Sequence, residues 1–264
     1  MSPMGLFFII QIQLKMEKLL SFSNYMDQLA PKHGVSHVFS DFLEMTVCAL
    51  SLGQMEDRYF EIIRNYNKDE LQIFSSALAA LIIEMDNDGE GLKDCFGDYF
   101  MEHISYGKAG QFFTPEHICE MMALITIGEI RDGERIADPC CGSGRTLMAA
   151  ARINRNARFY GADIDRTCAM MCLVNMCLNG MFGEVACMDT LTNQFFSGWQ
   201  VNPHPITGVP YIVPISEEQS YMVLQLPKHK QEQPKVKQQE LPVFDSVEIS
   251  PISKQPVQQL LFDF

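Results

Sequence analysis

The chain predicts an α/β fold, a parallel sheet of short strands joined by helices, preceded by a helical domain. Three observations carry this. Residues 35–106 carry two apolar stripes at helical rather than strand spacing. From residue 114 the pattern changes to short apolar runs alternating with helical stretches. Between those runs stand Asp, Gly and Pro, the residues that punctuate strand-to-helix turns.

Residues 16–108 read as the helical domain. Val38, Phe39, Phe42, Met45 and Ala49 share one stripe, and Leu71, Phe74, Leu78, Leu81 and Met85 recur at intervals of three and four. Asp86-Asn87-Asp88-Gly89 reads as a turn; it lacks the terminal glutamate of a twelve-residue calcium loop.

Residues 109–225 hold the α/β part. Thr114-Pro115 predicts a helix start, with a hydroxyl cap and proline at the first helical position. Ile118, Met121, Met122 and Ile125 then fall on one face. Strands are predicted over 135–138, 158–161, 185–188 and 199–201, with helices near 145–154 and 166–179. Strands separated by helices imply parallel pairing through right-handed crossovers. In such a sheet, ligands sit beyond the carboxyl ends of the strands.

The flanks differ in character. Residues 1–15 form an N-terminal extension whose apolar run, Gly5 to Ile10, is too short to span a bilayer and lacks a basic leader. Met16 is an alternative start. Residues 226–264 read as a disordered tether, since Pro227 to Glu240 holds too few apolar side chains to offset its ordering entropy. An apolar peptide, Gln258 to Phe264, ends it.

A net charge of −13 excludes a surface that is basic throughout, so a role on duplex DNA would need a partner. Nine cysteines, an odd number without framework spacing, point to reduced thiols in the cytoplasm. Cys168, Cys172 and Cys177 lack the spacing of a radical iron–sulfur motif, and no metal site is expected. No membrane segment is expected either.

Residues able to carry chemistry gather at the predicted strand ends. They are Gln111-Phe112-Phe113-Thr114-Pro115, Asp138-Pro139-Cys140-Cys141-Gly142-Ser143-Gly144, Asp163 and Asp165, Asp189, and Asn202-Pro203. Gly142 and Gly144 let backbone approach a ligand at a helix start. The G-x-G-x-x-G fingerprint of dinucleotide folds is absent. Asp163, 25 residues after Asp138, can accept hydrogen bonds from a ribose diol. Asp165 reads as a helix N-cap. Asp189 suits either a ligand amino group or an ordinary turn, and Asn202-Pro203 suits a turn as well as a site.

In order and spacing these pieces resemble the S-adenosylmethionine-binding core of N6-adenine DNA methyltransferases, in particular the modification subunit of type I restriction systems. The resemblance covers residues 30–203 by organisation and is specific over 110–165. It implies a Rossmann-like methyltransferase fold, truncated here, with S-adenosyl-L-methionine as cofactor. By the resemblance, Asp163 takes the ribose, Asp189 the adenine amino group, and Gln111 to Pro115 lie over the methionine part. The family closes its fourth strand with Asn/Asp-Pro-Pro-aromatic, which orients the N6 amine of a flipped adenine. In this chain Asn202-Pro203 is followed by His204 and Pro205, without the aromatic whose stacking is worth about 1–3 kcal/mol. Three functions therefore stand open: a DNA adenine methyltransferase of restriction–modification type, a cofactor-binding relative that has lost transfer, and an interaction protein. The resemblance further implies DNA reached through a separate specificity subunit. Gln258 to Phe262 is similar to the peptides that dock on bacterial sliding clamps, and it is equally a segment that could pack back on its own domain.

Overall fold

Five helices open the described part of the chain, residues 20–104 and 112–224 of a computed structural model. They are α1 (Phe22–His33), α2 (Val35–Ala49), α3 (Glu56–Ile63), α4 (Lys68–Asp86) and α5 (Cys95–His103). Local chemistry sets their starts. The Ser21 hydroxyl accepts from Asn24 N–H at α1, and Asn67 with Glu70 closes a reciprocal capping box at α4. The expected turn after Asp86 is present as a single 3-10 turn, Asn87–Gly89. Both predicted stripes point inward, except that Ala49 is exposed and Leu71 and Leu78 are half-buried. Their core is aromatic: Phe22 packs on Phe42 and Phe96 at ring-centroid separations of 5.2 and 5.8 Å.

The second half follows as α6 (Glu116–Thr126), β1 (Arg135–Asp138), α7 (Arg145–Ile153), β2 (Arg158–Asp163), α8 (Arg166–Leu178), β3 (Gly183–Asp189), β4 (Gln194–Pro203) and β5 (Pro210–Ile215). The sheet order is sequential, β1-β2-β3-β4-β5. β1, β2 and β3 are parallel, as predicted. β4 instead runs antiparallel to β3, and β5 antiparallel to β4. The cause is the length of the link: only Thr190 to Asn193 separate β3 from β4, and a parallel return needs a crossover of a dozen or more residues. β5 was not predicted.

Crossovers of one hand running one way across the sheet put α7 and α8 on the same face. α7 lies on β1 and β2, while α8 lies on β2 to β5 with its other side against α2. A helix sandwiched in this way is apolar all round, and Cys168 to Cys177 are all buried. The cysteines of α8 are packing residues in this middle layer. Helices and sheet belong to one compact unit ending at Gln225.

α6 departs from expectation twice. Pro115 is its N-cap, in an extended conformation (φ −56°, ψ 144°), so the helix begins at Glu116 and the Thr114 hydroxyl makes no cap bond. Its apolar stripe also faces out: Met121, Met122 and Ile125 are exposed, and the buried residues are Cys119 and Ala123. Small residues let α6 approach Ala149 of α7 closely, and that contact outweighs the larger stripe.

One carboxylate joins the two halves. Asp94, 3% exposed, caps α5 through Gly97 N–H (2.9 Å). It also accepts from the Ser143 hydroxyl, from Arg145 Nε (2.6 Å) and from Asn175 Nδ2 (2.9 Å). Asn175 donates in addition to the Ser143 carbonyl at 2.9 Å. Gly97 is required here, because a Cβ would lie 2.0 Å from Asp94 Oδ2. We expect Asp94→Ala to cost about 3–5 kcal/mol, the usual penalty for stranding one partner of a buried ion pair. A thermal midpoint lowered by roughly 6–20 °C would be the readout, and a shift of a degree or two would show that the carboxylate does not carry the junction.

Candidate functional site

β1 delivers Asp138 to the sheet's carboxyl edge, and the loop to α7 is folded around that side chain. Asp138 Oδ1 accepts Cys140 N–H at 3.0 Å, and Oδ2 accepts the Thr146 hydroxyl. Asp138 is thereby committed to holding the loop. Gly142 adopts φ +53°, and a Cβ there would meet the Phe113 ring at 3.1 Å. Phe113 in turn stacks on Phe100 of α5 (5.4 Å, 27°). Phe113, Gly142, Cys140 and Thr114 help line a small cleft of about 90 Å³, beside which Phe112 stands exposed.

Asp163 ends β2 beside this loop. Its Oδ2 accepts Gly142 N–H and its Oδ1 accepts Asp165 N–H, both at 2.9 Å. A carboxylate has about four lone-pair sites, so one remains on each oxygen for a ligand. Burial pushes the Asp163 carboxyl above its ordinary range, opposed by those two N–H donors and reinforced by the charges of Asp165 and Asp138. Asp165 is the N-cap of α8, accepting Thr167 N–H (2.7 Å) and Cys168 N–H (3.3 Å).

Asp189 ends β3 on the same edge. Its Oδ1 accepts Leu191 N–H (3.0 Å) and Thr192 N–H (3.2 Å), the hydrogen bonds of an Asx turn. The Thr192 side chain and these N–H groups hold its carboxyl below the ordinary range. The adjacent Thr190 hydroxyl donates to the Pro139 carbonyl at 3.2 Å, tying the loop after β3 to the loop after β1. Burial raises the Cys140 thiol, and Cys172 together with burial raises that of Cys141.

The strand ends thus bring together Phe113, Thr114, Asp138, Cys140 to Gly144, Asp163 and Asp189. Gln111 lies outside the described residues, as do residues 1–15, 226–264 and the Gln258–Phe262 peptide. Asn202 and Pro203 are not brought to this edge. With β4 reversed, Val201 pairs with Gly183 at the start of β3, and Asn202 pairs with Tyr211 of β5. Six residue steps of β3 separate that end from Asp189, on the order of 20 Å. The Asn-Pro pair closes a strand, but at the other end of the sheet. Sequence reasoning missed Asp94, Asn175 and Phe100, which hold the loop from behind; the only local signal was the N-cap position of Asp94.

A glycine-rich strand-to-helix loop with acids at successive strand ends marks the carboxyl edge of the sheet as the candidate ligand site of an α/β protein. The N-6 DNA Methylase family matches residues 92–238, more than half of the chain. The chain belongs to that family. It is 26% identical over 201 residues to the type I restriction enzyme MpnII methylase subunit of Mycoplasma pneumoniae, covering 67% of this chain and 37% of the relative. It is 27% identical over 134 residues to the type I restriction enzyme EcoEI methylase subunit of Escherichia coli, covering 44% and 27%. Over 121 residues it is 28% identical to the MjaVIII counterpart of Methanocaldococcus jannaschii, covering 42% and 21%. The chain therefore spans little more than a third of the relatives' length at most. A crystal structure of a type I restriction-modification methyltransferase subunit from Streptococcus thermophilus aligns at a TM-score of 0.34 and 19% identity, over 61% of this chain and 36% of that one. Among the described residues no helix is long and apolar enough to cross a membrane.

The Phe113–Gly142 contact predicts a separable double variant. Gly142→Ala should cost about 1–2 kcal/mol in urea unfolding from its left-handed backbone, plus the clash with the ring. Adding Phe113→Leu should recover the clash and leave the backbone cost. Full recovery would mean that the positive φ carries no strain.

Proposed function

We propose that the chain is the S-adenosylmethionine-binding module of a restriction-modification-type N6-adenine DNA methyltransferase and does not transfer methyl groups by itself. The observation that carries this reading is the Asp163 carboxylate: it is fixed by two backbone N–H groups and still has a free acceptor site on each oxygen. That donor-and-acceptor pattern fits a ribose diol. Gly142 is packed against the Phe113 ring, and the small open cleft beside them suits the methionine end rather than the whole cofactor.

When bound, the cofactor supplies an electrophilic methyl group. This chain's residues would bind and shield it. Asp163 would accept the ribose hydroxyls, the Gly142 to Gly144 backbone would border the site at the start of α7, and Phe113 with Phe112 would exclude water from one side. Both acceptor sites of the turn-forming Asp189 oxygen are taken by Leu191 and Thr192 N–H, so its other oxygen would be the one to accept an adenine amino group. Gln111 and Thr114 would border the methionine part.

Support for the silent-transfer half comes from Asn202. At the amino end of β3 it cannot orient an amine at the carboxyl edge, and no aromatic follows Pro203. Transfer to adenine would then need residues supplied by a partner, and DNA would be reached through a separate specificity subunit, in a cytoplasmic assembly. The sliding-clamp resemblance of Gln258 to Phe262 gains no support from the relatives.

Calorimetry of the full chain with S-adenosylmethionine should show binding that Asp163→Ala weakens about 5- to 150-fold, the cost of stranding buried hydrogen-bonding groups. Asn202→Ala should leave that affinity unchanged. No heat and no thermal shift at millimolar cofactor would overturn the reading. Acidification should act with a definite sign. Because burial raises the Asp163 carboxyl, cofactor affinity should fall as pH drops through a range lying above the ordinary aspartate value of about 3.9. The contribution of Asp163 to stability runs the opposite way, improving as the proton is taken up. A flat affinity profile down to pH 4 would exclude Asp163 as a ligand. Radiolabelled methyl transfer to adenine-containing duplex should be absent with the chain alone; turnover abolished by Asn202→Ala would show that the strand end reaches the cofactor after all.

A further inference from the structure

The sheet face turned away from α7 and α8 carries a cluster that the cofactor reading leaves unused. Arg135 and Arg158 are register partners on β1 and β2, so two guanidinium groups leave one face from adjacent strands. Like charges directly opposite each other destabilise a sheet. Among the described residues the arginine ion pairs use Arg58, Arg145, Arg152 and Arg166, and neither of these two. Arg135 lies 4.8 Å from the Tyr221 ring centroid and 6.0 Å from that of Tyr160, and Arg158 lies 5.8 Å from that of Phe182.

Tyr221 is placed there by a dedicated device. Glu184, buried on β3, accepts the Ser220 hydroxyl, Tyr221 N–H (3.0 Å) and Met222 N–H (3.4 Å). That carboxylate is spent on pinning the chain across the sheet. The pinned Tyr221 ring stands edge-to-face with Tyr160 (5.8 Å, 77°) and is 62% exposed. Beside it opens a concavity of about 250 Å³, lined by Arg158, Tyr160, Glu184, Gln200, Asn202 and Tyr221 among others. This is near the lower end of ligand-pocket sizes, about 300 Å³.

We propose that this face binds single-stranded nucleic acid, with phosphate held by Arg135 and Arg158, a base stacked on Tyr221, and the amides of Gln200 and Asn202 next to the sugar or base. A phosphate relieves the repulsion of the paired guanidinium groups. An exposed, fixed ring beside arginine is what a single strand uses, since unpaired bases offer their π-faces and duplex bases do not. Asn202, stranded from the cofactor edge, falls inside this cluster. The site lies at the amino ends of β1 and β2, away from Asp138 and Asp163, so its test is independent of cofactor binding. With a net charge of −13 the affinity is weak and strongly salt-dependent.

Fluorescence anisotropy of the full chain with labelled single-stranded oligonucleotides at low salt tests this. Binding should fall within the sequence-independent range, about 10⁻⁴ to 10⁻⁶ M. Tyr221→Ala should weaken it about 5- to 150-fold. Arg135→Ala and Arg158→Ala should each weaken it and lower the salt slope by about one. Arg135→Lys and Arg158→Lys should keep the slope, and all variants should retain the parent melting temperature to within a few degrees. No binding by the intact chain overturns the proposal, as does binding that none of the variants alters. Equal competition by a free mononucleotide, or equal binding of duplex, would also overturn it by assigning the face to another ligand.

Discussion

The fold turns on a single buried carboxylate. Asp94 stands at the start of α5, yet three of its four donors come from elsewhere: the loop after β1, the first residue of α7 and the middle of α8. Without the negative charge, Arg145 would face a dry interior with only exposed Asp98 as its carboxylate partner. With it, the glycine loop is clamped from behind by the helical half. The glycine loop gains its shape from Asp138 and Asp163 in front and from Asp94 behind, so three acids define one short backbone segment. Catalytic or binding duties can be laid on such a loop because its conformation is fixed by side chains that do not themselves need to touch ligand.

The two edges of the sheet divide labour through strand direction. Parallel β1, β2 and β3 deliver acids to one edge, where helix starts and backbone N–H groups meet them. The reversal at β4 sends the next polar residues, Gln200 and Asn202, back to the opposite end. A four-residue link is sufficient to cause this. Motif content and motif geometry therefore part company: Asn202-Pro203 reads as the close of a family motif, while the hairpin places it among arginines and tyrosines.

Much of this was legible in the residues. β1 matched its predicted bounds, because Asp138-Pro139 and the glycines after it punctuate a strand end without ambiguity. The capping role of Asp165 was legible for the same local reason. The direction of β4 was not recovered, because apolar patterning marked only Trp199 to Val201 and left a false nine-residue gap after Asp189. The alternation in Gln194-Phe195-Phe196-Ser197-Gly198 extends the strand back to a tight turn. α6 misled in another way: amphipathic spacing identifies a helix, but which face packs depends on what the neighbour offers, and Ala149 favoured Cys119 and Ala123. Asp94 carries no pattern of its own. Its partners lie 49, 51 and 81 residues downstream, and long-range polar junctions of this kind have no sequence period.

The sequential strand order also governs how the chain can assemble in time. Each strand pairs with its neighbour in sequence, and β4 with β5 is a plain hairpin closed across His204 to Val209. Contacts within the sheet are therefore of modest sequence separation, the condition under which loop-closure entropy is small and growth is fast. The Asp94 junction is the opposite, since it closes only when helical and strand halves are both in place. The loop geometry therefore depends on both halves at once: a chain without the helical half would lack the Asp94 clamp on Ser143 and Arg145, however well its sheet were paired.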